Sequence, residues 1–155
     1  MTNRKQEFQQ KLDALLREYD DVLSGTEKQR FTMQEVSGDK IHILWLDDER
    51  NPFNKIWTDW LHENLILDWV RAEITWVKRY SQFAMYIEEW GVPDVICFDH
   101  DLGEEKTGYD CVKYLCYYCD ENDEELPIIV YQTNNPVGKE NMRKYIENFR
   151  KHKQI

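Results

Sequence analysis

The stretch "ILWLDDER", Ile43 to Arg50, runs apolar for four residues and then places three acids and a base in a row. A second stretch, "VICFDHDLG", Val95 to Gly103, repeats the design. Its apolar run ends in Asp99 and Asp101, with His100 between them. A short apolar run closed abruptly by polar residues reads as a strand buried on both faces. In open α/β sheets, ligands bind just beyond the carboxyl ends of the strands. Asp47, Asp48, Asp99 and Asp101 all stand at such ends. If the two strands are neighbours, their acids converge on one pocket.

The remaining pattern supplies the rest of a layered fold. Ile41 to Leu46 reads as the first strand. Pro52 is placed to open a helix from Phe53 to about Leu67. Ile74 to Lys78 reads as a second strand. Phe83, Ala84, Ile87 and Trp90 mark a helical face, closed by Gly91 and Pro93. Asp94 to Phe98 is the third strand. Tyr109, Val112, Leu115, Cys116 and Cys119 mark the next helix. Pro127 to Tyr131 is the fourth strand, and Met142, Tyr145, Ile146 and Phe149 mark the last helix. Strands alternating with helices imply a parallel sheet covered on both faces, joined by right-handed crossovers.

Residues 1–40 read as a separate N-terminal extension to the domain at 41–155. Phe8, Leu12, Leu15, Tyr19 and Val22 form one apolar stripe over residues 5–23. That stripe packs either on its own domain or on a second copy or partner. Residues 24–40 read as a polar linker with a short strand candidate at Arg30 to Val36.

Composition narrows the function classes. The chain has 155 residues, 41% hydrophobic and 14% aromatic, which suits one domain with a real core. No stretch is apolar enough to cross a membrane, and the N-terminus lacks a signal-peptide core, so the expected location is the cytoplasm. A formal net charge of −10 repels phosphate backbones and argues against broad nucleic-acid binding. Cys116 and Cys119 form a C-x-x-C, but no second pair exists for zinc and the pair falls inside a helix, so core packing is expected. The tryptophans are expected mostly in the core. Trp57 and Trp60, three apart on a helix, read either as core or as an exposed contact patch. No phosphate-binding glycine loop or nucleophile elbow is present.

One Asp-Asp pair after a strand reads well as a helix cap. Two acidic clusters at matching strand ends read better as a cation site. Clustered carboxylates repel, and at least one pKa rises when the site is empty. A hard cation such as Mg²⁺ removes that cost and holds phosphate. His100 is either a proton donor and acceptor or a brace for Asp101.

The motifs "LDDERNP", "FDHDLGEEKTGYD" and "TNNPVGKENM", in that order, resemble the cyclic-phosphate-processing receiver-like family within the response-regulator receiver superfamily. The resemblance covers about residues 41–150. It implies a three-layer receiver or flavodoxin-like sandwich with four strands in the order 2-1-3-4. It implies Mg²⁺ on Asp47, Asp48 and Asp99, with Asp99 in the place of the receiver's phosphate-accepting aspartate. Gly103 and Gly108 would shape the loop, and Thr133, Asn135 and Gly138 would meet a phosphate near the last helix. His100, Asp101, Arg50, Gln132 and Thr133 would carry the chemistry.

Two departures bear on activity. Gln132 stands where the family usually has His, and Gln exchanges no proton at neutral pH. A receiver's fifth strand, with its phosphoryl-sensing lysine, has no counterpart in these residues, which speaks against ordinary phosphorelay signalling. Two functions follow. One is a Mg²⁺-dependent phosphoesterase or phosphodiesterase, or binder, of a cyclic phosphate. The other is a non-catalytic acidic module that binds a protein through its N-terminal helix and aromatic surface.

Overall fold

The computed structural model describes residues 40–153. The stripe over residues 5–23 and the strand candidate at residues 30–36 lie outside these residues. Strands β1 (Ile41–Leu46), β2 (Ala72–Val77), β3 (Val95–Phe98) and β4 (Ile128–Tyr131) alternate with helices α1 (Lys55–Asn64), α2 (Tyr80–Trp90), α3 (Gly108–Glu121) and α4 (Pro136–Lys153). The strands form one parallel sheet in the order β2-β1-β3-β4. The apolar runs imply the parallel sheet, and the order is that of the receiver or flavodoxin-like fold the family resemblance implies, with β1 and β3 adjacent.

The two-residue side-chain period of a strand divides the core. Leu44, Leu46, Ile96 and Phe98 face α2, α3 and α4, where they meet Phe83, Ile87, Val112, Leu115, Met142 and Ile146. Ile43, Trp45, Val95 and Cys97 face the other way, toward Leu61 and Leu65 at α1. Because β1 is buried on both faces from Ile43 to Leu46, it carries no alternation of polar residues.

Several boundaries differ from the expected ones, each for a local reason. The helix expected from Phe53 begins at Lys55 because Asn51 Oδ1 accepts the Phe53 N–H and holds residues 51–54 in a turn. Pro52 sits in that turn and does not open the helix. The helix ends at Asn64, where Leu65 turns extended. Strand β2 starts at Ala72, two residues earlier than expected, because β1 pairs Ile41 with Ala72 and Leu46 with Val77. Asp94 lies outside β3, and its Oδ2 accepts the His42 N–H at 2.8 Å.

All four cysteines are buried. Burial pushes the Cys116 thiol up to about 12 and the Cys119 thiol up to about 11, and raises Cys97 and Cys111 as well. The C-x-x-C is core. Trp57 and Trp60 pack half-buried on Trp45, with ring centroids 5.9 and 6.1 Å away, and do not project as an exposed patch. Among the described residues, no helix is long and apolar enough to cross a membrane.

Candidate metal and phosphate site

Strand ends deliver the acids. Asp47 extends the β1–β2 ladder, its N–H donating to the Val77 carbonyl at 3.0 Å. Asp99 extends β3, its N–H donating to the Leu46 carbonyl at 3.0 Å. Asp47 is fully buried, and its Oδ1 accepts the N–H groups of Glu49 and Arg50 at 3.0 and 2.8 Å. That turn carries Asp48 to the open side, while Asp47 Oδ2 stays buried beside Arg50 and Gln132. One carboxylate oxygen from each of Asp47, Asp48 and Asp99 lies within 4.8 Å of the others.

Arg50 closes the cluster. Its Nη1 donates to Asp47 Oδ2 at 3.1 Å and lies 3.5 Å from Asp99 Oδ1. Its guanidinium carbon lies 5.5 Å from the Trp57 ring centre. One guanidinium does not offset three converging carboxylates. The Asp99 carboxyl is pushed up to about 6, first by burial and then by the Asp47 charge. Arg50, the His100 N–H and the Thr133 hydroxyl pull the other way.

The donor set therefore fits a hard divalent cation. It is all oxygen, it carries excess negative charge, and it opens on one side. That opening is a cleft of about 390 Å³ lined by Asp48, Arg50, Asp99, Asp101, Gly103, Thr133 and Asn135, among others. Gly103 takes φ +68, and a Cβ there would lie 3.1 Å from Asp48 Oδ2, so glycine gives that carboxylate its room.

A pH prediction follows. The folded Asp99 carboxyl titrates above its usual 3.8. Its contribution to stability is complete below about pH 4 and is lost as pH rises through about 6. The metal-free chain should lose up to about 3 kcal/mol over that window. Mg²⁺ should restore it, so thermal melts with and without EDTA should separate at pH 7.5 and nearly coincide at pH 5. Equal separation at both would refute the assignment of Asp99.

The other predicted residues fall into two groups. Asp101, Thr133 and Asn135 line the cleft. His100, Gln132 and Gly138 lie behind the lining. His100 Nδ1 is 2.9 Å from Asp101 Oδ1 and 3.3 Å from Asn135 Nδ2. That bond to His100, ahead of a weaker one from Asn135, holds the Asp101 carboxyl below its usual range. Gly138 lets the imidazole lie against α4, since a Cβ there would fall 2.4 Å from the ring. The Gly138 N–H donates to Asn135 Oδ1 at 2.9 Å, which makes Asn135 the cap before Pro136. Gln132 is 4% exposed and points inward. Its Nε2 donates to the Leu46 carbonyl at 2.9 Å and lies 3.5 Å from Asp47 Oδ2, while its Oε1 has no partner.

Sequence patterning missed two contacts. The Trp76 indole N–H donates to the Asp47 carbonyl at 2.7 Å, and that of Trp45 donates to the Arg50 carbonyl at 2.8 Å. No spacing rule foretells them, because they depend on the register of two strands.

No curated protein matches the chain. A solved structure described as a yeast Spc42 trimeric coiled coil, amino acids 181–211, in fusion, is similar at 22% identity with a TM-score of 0.46. The match covers 69% of this chain and 62% of that one, a likeness too slight to bear on fold or function. The family described as the cyclic-phosphate processing receiver domain matches residues 42–148, a span that takes in β1 from His42 onward, the other three strands and the acidic cluster. The chain belongs to that family.

Proposed function

We propose that the chain hydrolyses a cyclic phosphate ester at this cleft with the help of a divalent cation, Mg²⁺ in the first instance. The observation that carries the reading is the convergence of Asp47, Asp48 and Asp99 within 4.8 Å in a member of a cyclic-phosphate processing family. These three carboxylates would hold the ion. Bound there, the cation would polarise a phosphoryl oxygen and activate water.

The chain's own residues orient and neutralise. Arg50 borders both the acids and the cleft, where its guanidinium can pair with a phosphoryl oxygen. Thr133 lines the cleft with a hydroxyl donor that now bonds Asp99. Asn135 presents its side-chain amide near Asp101. The His100–Asp101 pair manages the proton: Asp101 reaches the cleft, and His100 braces it from behind.

The test is incubation of the purified chain with Mg²⁺ and a 2′,3′-cyclic nucleotide. The expected result is a phosphomonoester product, formed only with the ion and lost on EDTA treatment. No turnover by a folded chain would remove the hydrolytic reading. A second reading, binding without cleavage, draws on Gln132, which cannot exchange a proton and faces inward. Calorimetric binding of the same nucleotide without product would select it.

A further inference from the structure

The cation site proposed above leaves open what aims Asp48. Among the described residues its carboxylate depends on the turn from Asp47 to Arg50, and that turn is held at both ends by indoles. Trp76 donates to the carbonyl at the start of the turn, at 2.7 Å, and Trp45 to the carbonyl at its end, at 2.8 Å. The two tryptophans are register partners on β1 and β2. They rise side by side on the face that α1 covers.

The Asp47 carbonyl needs such a donor. Asp47 is fully buried and stands past the end of β1, so its carbonyl has left the regular ladder. A buried carbonyl without a partner is costly. The Arg50 carbonyl, bonded by Trp45, closes the turn that the Asp47 side chain begins. Phenylalanine at position 45 or 76 would fill much of the same space and release one end of the turn.

We infer that Trp45 and Trp76 are positioning residues of the acidic site, whose indole N–H groups hold the Asp47–Arg50 turn so that Asp47 and Asp48 converge on one cation. The inference rests on the metal reading of the cleft. Outer partners that orient metal ligands typically contribute 10–100-fold in affinity.

Titration with Mn²⁺ in the absence of any nucleotide, followed by electron paramagnetic resonance, tests it. Trp76→Phe should weaken Mn²⁺ binding by about tenfold. Trp60→Phe exchanges an indole that packs on Trp45 but holds no turn carbonyl for a smaller ring, and should stay within about twofold of wild type. Melting temperatures in EDTA report the packing loss separately. Equal Mn²⁺ affinity in Trp76→Phe and wild type, whatever the melting temperature, overturns the inference. If wild type binds no Mn²⁺, the metal reading itself falls and takes the inference with it.

A measurement on wild type covers the case in which the variants do not fold. The indole N–H resonances of Trp45 and Trp76 should shift together on Mg²⁺ titration with one dissociation constant, and that of Trp60 should not. Unmoved Trp45 and Trp76 signals under saturating Mg²⁺ would equally overturn it.

Discussion

Asp99→Asn abolishes divalent-cation binding and raises the melting temperature of the metal-free chain at pH 7.5. Binding should fall by at least 100-fold, roughly the upper limit for losing an outer partner of a metal ligand. The stability gain follows from the same geometry. Asp99 is 3% exposed, and its ionised form suffers burial and the Asp47 charge. Asparagine keeps an oxygen for the His100 N–H, which donates to Asp99 Oδ1 at 2.8 Å, and sheds the charge. It also forfeits the charge attraction of Arg50, whose Nη1 lies 3.5 Å from the same oxygen. The net gain should be about 1–2 kcal/mol, or roughly 3–6 °C. Asp47 is the poorer target because its carboxylate also holds the turn through two N–H groups. Calorimetry with Mg²⁺, beside melts in EDTA, reads both effects. Undiminished binding by Asp99→Asn would remove Asp99 from the site.

Gly108→Ala should cost more than about 4 kcal/mol or prevent folding. A Cβ at Gly108 would sit 1.9 Å from the Asp99 carbonyl oxygen, 2.9 Å from its carbon and 3.1 Å from the His100 Cα. All three are backbone atoms, so no side chain can swing aside. The Gly108 N–H also donates to the His100 carbonyl at 2.7 Å, locking the first residue of α3 onto the loop after β3. Thr107 adds a capping box with Asp110 at the same point. Gly91→Ala is the reference. Gly91 takes φ +83 and ψ −170, a region essentially confined to glycine, but has nothing within 4 Å of a Cβ, so Gly91→Ala should lose about 1–3 kcal/mol to backbone strain alone. Urea denaturation of both variants makes the comparison. A Gly108→Ala protein within 1 kcal/mol of wild type would show that the loop moves freely from α3.

Much of this molecule is legible in its residues because the chemistry is local. The apolar run Ile43 to Leu46 must be buried on two faces, and the acids after it must stand at a sheet edge. The same logic applies to Val95 to Phe98, and adjacency of the two strands brings their acids together. Gln132 shows where local reading stops. Its place beside "TNNP" suits a residue that meets phosphate, yet the pleat turns its side chain under the sheet edge toward the Leu46 carbonyl. His100 could be read either as a proton carrier or as a brace, and only the packing of its ring against Gly138 on α4 sets it between Asn135 and Asp101. The two indole bonds are hidden for another reason. They require Trp45 to lie opposite Trp76, a fact of strand register that neither segment contains alone.

The sealed sulfurs have a practical consequence. One lies in β3 on the α1 side of the sheet, and the other three lie in α3 on the opposite side. Each is shielded from reagent and held as the unreactive thiol. Alkylation in native buffer therefore counts excursions out of the native basin rather than surface reactivity. Mass spectrometry of the tagged peptides would show whether the sheet centre and the outer helix open in one event or in two.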